Sequence, residues 1–243
     1  MSLDLQAVAT GLPALWLAQG FLTSLAVTVI GAAVAFLLGG LLLALRLTPW
    51  RAASGFATAA IEVIRNTPLL VQLLFWYFAV YRLLPDTVRS WIGQDHGFGR
   101  LPQGPSLLSA EFLVAAFGLG VFFSAYIAEE LRSGLAAVPE GQAEAARALG
   151  FSPLAGLLYI RLPQALANAW QPMIGQTLNI LKNSTLASGI GLAETAYQVR
   201  QIESYNAHAL EAFAVGTLFY LASGFGLARV LARLAPRNPG GGR

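Results

Sequence analysis

Apolar residues run along this chain in long blocks, not at the alternating or helical periods of a water-soluble core. No charged residue occurs from Leu5 to Leu45, and Phe21–Leu45 is long enough to cross about 30 Å of hydrocarbon as a helix. That predicts a first span ending at Arg46 and Thr48-Pro49. Thr58–Tyr81 predicts a second, interrupted at Asn66-Thr67-Pro68, because Pro68 has no N–H to donate to Ile64 and so kinks the helix or starts a half-helix. Phe112–Leu131, Ala165–Leu186 and Phe213–Val230 predict the third, fourth and fifth. From Arg82 to Ser109 several Gly and Pro mark an external loop, with a short interfacial piece around Trp91. There is no strong internal repeat, so residues 1–243 are expected to form one all-α membrane domain.

Composition agrees with the bilayer as solvent: 56% of the residues are hydrophobic and 11% charged, against roughly 25% charged in a soluble domain. The net charge of +3 comes almost entirely from Arg and is dispersed, which excludes a nucleic-acid footprint. Without cysteine there is no disulfide, thiolate metal site or Cys nucleophile. Met1-Ser2-Leu3-Asp4 lacks the basic region of a cleaved signal, so the first apolar segment is expected to stay as an anchor. Five spans with the N-terminus outside place Arg46, Arg51, Arg65, Arg132, Arg147, Arg161, Arg229, Arg233, Arg237 and Arg243 in the cytoplasm. Five basic residues remain toward the outside (Arg82, Arg89, Arg100, Lys182 and Arg200), and ten against five predicts an external N-terminus and a cytoplasmic C-terminus.

One cytoplasmic stretch, Pro139–Pro163, is polar and built from strong helix formers. Glu140–Leu149 predicts a helix, and Gly150 sits where a left-handed cap residue belongs. Ser152-Pro153 reads as N-cap and first position of a second short helix, limited by Pro163. An ordinary helical hairpin would satisfy this pattern, but helix–helix connections usually take only two to eight residues. A longer, doubly capped knob suggests a partner outside the bilayer.

The spacing of Glu144-Ala145-Ala146, Gly150, Ile160 and Leu162-Pro163 also resembles the EAA---G---------I-LP signature of permease subunits of bacterial ATP-binding-cassette importers. Arg65-Asn-Thr-Pro-Leu-Leu-Val-Gln72, Ser124-Ala-Tyr-Ile-Ala-Glu129, Pro139-Glu-Gly-Gln142 and Lys182-Asn-Ser-Thr-Leu-Ala-Ser188 are similar to the polar-amino-acid subfamily, with Asn66 where many relatives carry Gly. The stretches Lys182–Leu192 and Tyr205–His208 look closest to its glutamate/aspartate branch. The resemblance implies a type I importer permease fold in the bacterial cytoplasmic (inner) membrane. It implies a polar amino acid as cargo, glutamate/aspartate or glutamine. It further implies a second permease subunit (a paralogue rather than an identical copy), two ATPase subunits carrying ATP and Mg, and a periplasmic or tethered binding protein. ATPase coupling would fall on Glu140, Glu144, Ala145, Ala146, Gly150, Leu162 and Pro163. The chain itself is expected to hold no cofactor and to be no enzyme. Its only lysine, Lys182, lies between Leu181 and Asn183, so it has no P-loop, and neither His96 nor His208 has metal-ligand spacing.

The most polar predicted span is the fourth. Gln176, Asn179 and Asn183 recur at helical spacing, with Lys182 adjoining the row. Together with Gln72 and Thr185 they are candidates for a substrate pathway. Two readings stand for Lys182: it pairs with a substrate carboxylate, or it snorkels to the outer interface while the amides bond between helices. Glu129 and Glu130 are expected to neutralise Arg132 or Arg65, and Phe75, Trp76, Tyr77, Phe78 and Tyr81 to face lipid and the outer aromatic belt. The competing class is an ion-gradient-driven secondary carrier. Such carriers place Asp or Glu at mid-membrane, and no acidic residue is assignable to a span interior here.

Overall fold

The computed structural model describes residues 4–94 and 107–236, and among these it contains helices and no strand. Helix α1, Gly11–Arg46, has 36 residues and so runs for about 54 Å. It begins ten residues before the predicted Phe21, because nothing charged in Gly11–Gly20 interrupts it. Leu17 in this extra stretch packs with Val8, Val199, Ile202 and Ala212 in a small cluster of its own.

The second predicted span is sharply bent at the expected interruption. Helices α2 (Arg51–Arg65) and α3 (Leu69–Leu83) meet at 106°. Pro68 leaves the Ile64 carbonyl without its usual donor, and Gln72 Nε2 fills the gap at 2.8 Å while also reaching the Thr67 carbonyl at 3.2 Å. The side chain thus clasps the bend that the proline opens. Helix α2 is amphipathic, burying Ala57 and Ile61 and exposing Arg51, Glu62 and Arg65. The expected short piece around Trp91 is α4, Asp86–Ile92.

The core gathers around α5, Ala110–Ala136, whose first turn is capped by Ser109 Oγ accepting from the Phe112 N–H at 3.2 Å. Its Phe112, Leu119, Phe123 and Ile127 are packed by Val27, Leu73, Met173 and Ile180 from three sides. At Gly134 any Cβ would lie 2.4 Å from the Ala165 carbonyl, so only glycine lets α5 and the fourth predicted span approach there. That span is α7, Leu162–Asn183, continued by a 3₁₀ stretch, Ser184–Ile190. Pro163 does not limit a separate helix. The chain turns helically from Pro153 through a widened π turn, Leu157–Arg161, straight into α7, and the proline sits near the start of α7, where its missing N–H matters little. Between α6 (Glu140–Ala148) and the C-terminal α9 (Ala209–Arg233) the fold thus holds α7 and an unforeseen twelve-residue helix, α8, Thr195–Asn206.

Three helices, α1, α5 and α9, are long and apolar enough to cross a membrane, or four if the bent α2–α3 pair counts as one span. Helix α7 is too polar for that criterion but stands in the same bundle, against α5 through Gly134 and against α9 through Trp170 Nε1, which donates to the Leu231 carbonyl at 2.9 Å.

Candidate functional site

The polar segment folds much as its caps require. Helix α6 closes in a Schellman turn: Phe151 N–H donates to the Ala146 carbonyl and Gly150 N–H to that of Arg147, both at 3.0 Å, with Gly150 at φ +82°. Ser152 Oγ then accepts from the Ala155 N–H at 3.2 Å, and Pro153 opens the next turn. Ala146 is buried, and Gly156 comes so close that a Cβ there would lie 3.3 Å from the Ala146 methyl. Gln164 Nε2 donates to Gln142 Oε1 at 3.2 Å, tying the start of α7 back to α6. The result is a rigid two-helix knob. Glu140, Glu144 and Ala145 stand exposed on it, and neither carboxylate makes an ion pair among the described residues. Leu162 faces the other way, lining an apolar cavity of about 580 Å³ with Leu43, Leu157, Trp170 and Met173, while Pro163 is exposed.

The polar row of α7 comes together only in part. Gln176 Nε2 donates to Glu130 Oε1 on α5 at 2.9 Å, Asn179 Nδ2 donates to Gln176 Oε1 at 3.3 Å, and Asn183 Nδ2 donates to the Asn179 carbonyl at 2.8 Å. Lys182 is on another flank, exposed in a recess of about 310 Å³ lined by Leu178, Tyr220, Leu221 and Phe225. Thr185 bonds its hydroxyl to the Lys182 carbonyl at 2.9 Å, and Gln72 belongs to the α2–α3 bend. Beside the row, Glu129 pairs with Arg132 at 2.8 Å and with Arg46, joining α1 to α5. Arg65 does not reach a carboxylate and instead lies over the Tyr126 ring, 5.3 Å from its centroid. Of the aromatic stripe, Phe75 and Phe78 are exposed as expected, whereas Trp76, Tyr77 and Tyr81 pack on the core and Tyr77 donates to Glu111 at 2.8 Å.

Sequence reasoning missed Glu194. It is an acidic side chain in the bundle interior, fully buried, capping α8 through the N–H groups of Ala196 (2.9 Å) and Tyr197 (2.8 Å). Tyr220 of α9 donates to it at 3.1 Å, and Ser24 of α1 lies at 3.4 Å and also meets Thr195 Oγ1 at 2.9 Å. Three helices therefore meet on one carboxylate. Glutamate is not among the favoured N-cap residues, so local rules pass over it. Among the described residues no cluster of His, Asp or Glu could hold a metal; His208 stands 3.5 Å from Glu211, and His96 lies outside the described residues.

A helical membrane bundle with one capped knob, and with its polar groups engaged in helix contacts, has the build of a transport subunit. Residues 36–238 match the family described as binding-protein-dependent transport system inner membrane component, and the chain belongs to that family. It is a transmembrane permease subunit of an ATP-binding-cassette transporter and not itself catalytic. It is 34% identical over 206 residues to the glutamate/aspartate import permease protein GltJ of Escherichia coli K12, covering 85% of this chain and 80% of that one. It is 33% identical over 232 residues to the glutamate transport system permease protein GluC of Corynebacterium glutamicum, covering 93% and 95%. A crystal structure of an amino acid ABC transporter with histidines superposes with a TM-score of 0.77 at 26% identity, over 97% of this chain and 99% of that one. The ion-gradient carrier finds no support among these relatives.

Proposed function

We propose that this chain forms half of the passage by which a polar amino acid, glutamate or aspartate before glutamine, enters the cell across the inner membrane. Its partners in this reading are a paralogous permease subunit, two ATPase subunits and a periplasmic or tethered binding protein. The observation that carries it is the doubly capped knob, whose exposed Glu140 and Glu144 make no ion pair among the described residues. ATP-driven movement of the ATPases would push this knob, and through the unbroken helical path from Pro153 into α7 would rock the bundle. The arginine asymmetry supports a cytoplasmic C-terminus and knob; a reporter fused after Arg243 and active only in the periplasm would contradict that.

Cargo would pass along the Glu130–Gln176–Asn179–Asn183 row, with Lys182 supplying positive charge from the neighbouring flank. A compact ammonium attracts a dicarboxylate in a partly desolvated site and releases it when water enters. Competition among amino acids for uptake by the reconstituted complex tests the cargo. Lys182→Gln, which keeps length and hydrogen bonding, is expected to weaken glutamate or aspartate uptake about tenfold, the value of a hydrogen bond to a charged group, with ATPase docking and basal hydrolysis unchanged. Unaltered uptake across substrate concentrations would leave Lys182 a snorkelling side chain; equal loss of docking would make it structural.

A further inference from the structure

The knob carries a second pair of charges that meet no carboxylate among the described residues. Between α6 and the turn that follows is a cavity of about 320 Å³, walled by Ala143, Ala146, Phe151 and Gly156, into which Arg147 and Arg161 both open. Arg161 Nε is shielded from solvent and has no hydrogen-bond partner among the described residues. Arg147 uses its Nε on the Ala143 carbonyl at 3.3 Å and forms no ion pair among the described residues. A shielded guanidinium donor without an acceptor is unfavourable unless something supplies one, and with a second guanidinium opening on the same hollow the site suits a carboxylate better than any neutral group.

We propose that this cavity is a socket for an acidic side chain of the partner ATPase, held by Arg161 and Arg147. The proposal rests on the coupling reading above and deepens it. Glu140 and Glu144 on the outer surface of the knob would meet basic groups of the same partner, so the knob presents separated charges of both signs. Complementary charge of this kind fixes the register of docking as well as its strength. Position favours the ATPase over a lipid headgroup or free anion. The cavity is framed wholly by residues 143–161, which belong to the knob, and it has room for one side chain.

The test titrates the ATPase onto the assembled permease pair in lipid nanodiscs. Arg161→Gln is expected to raise the dissociation constant about tenfold or more, as for a shielded hydrogen bond to a charge, and to flatten its dependence on salt. Arg161→Lys, which keeps the charge but not the fork, should fall between. A cross-linker on Ala143→Cys identifies the acidic residue that enters, and its reversal to Arg should restore docking to Arg161→Glu. If Arg161→Gln fails to insert, Arg147→Gln, an exposed helix position, carries the same comparison. An unchanged dissociation constant in a permease that inserts and pairs normally overturns the proposal while leaving the coupling reading intact. Wild-type chain that does not bind the ATPase at all would sink the coupling reading instead. A variant that loses inorganic phosphate binding yet keeps its ATPase affinity would mark a free-anion site and likewise overturn the proposal.

Discussion

Glu194→Ala is expected to destabilise the bundle by about 3 kcal/mol or more, read as a fall in the melting temperature of the purified subunit and in the yield of folded protein. The substitution strands the buried N–H groups of Ala196 and Tyr197 and removes the acceptor of Tyr220 and Ser24, whose hydroxyls are left to each other and to Thr195 Oγ1. Losing the cap alone is worth about 1 kcal/mol, and each stranded buried donor about 1–3 kcal/mol before relaxation. Glu194→Gln separates charge from shape. Its single carbonyl oxygen cannot serve both backbone donors and Tyr220 together, so an intermediate loss is expected. The readout that distinguishes this residue from a mere packing group is the joint loosening of α1, α8 and α9 by hydrogen exchange. If Glu194→Ala melts like the wild-type chain, the three helices are held together by their apolar contacts and not by the carboxylate.

Gly150→Val has the second large effect, and its signature is functional. Nothing lies within 4 Å of a Cβ built at Gly150, so there is room for a side chain; the obstacle is φ +82°, which a β-branched residue reaches only with strain of about 1–2 kcal/mol or more. The Schellman turn would open, turning α6 away from its seat on Gly156. Membrane insertion should stay normal, while uptake and stimulated ATP hydrolysis fall together by at least about tenfold, since a misplaced knob loses both docking and stroke. Gly150→Asn, tolerated in the left-handed region, should retain much of both. A valine variant that inserts and transports at the wild-type rate would show that the knob is not the coupler.

What was legible in the sequence was what local chemistry decides. Long apolar blocks marked α1, α5 and α9, and the order Gly150, Ser152, Pro153 marked a left-handed cap followed by an N-cap, each of which needs only its own neighbours. The Pro68 break was visible as well, but not its 106° extent, because that depends on Gln72 reaching back eight residues to the Ile64 carbonyl. Pro163 read as a stop, whereas a π turn just before it lets the helix continue. Pairings distant in sequence left no local trace. Glu130 with Gln176, Glu129 with Arg46, and Ser24 with Glu194 come together only when the bundle packs. Helical spacing set Lys182 beside the amide row, and the structure shows how far that small angular offset carries it: onto the flank facing α9.

The most direct test of a permease driven through its knob is uptake by proteoliposomes holding the full complex, with the binding protein and labelled glutamate on one side. With ATP enclosed on the side of the knob and no ion gradient, the account predicts accumulation, abolished by Gly150→Val. Accumulation driven by a sodium or proton gradient in the absence of ATP would contradict it.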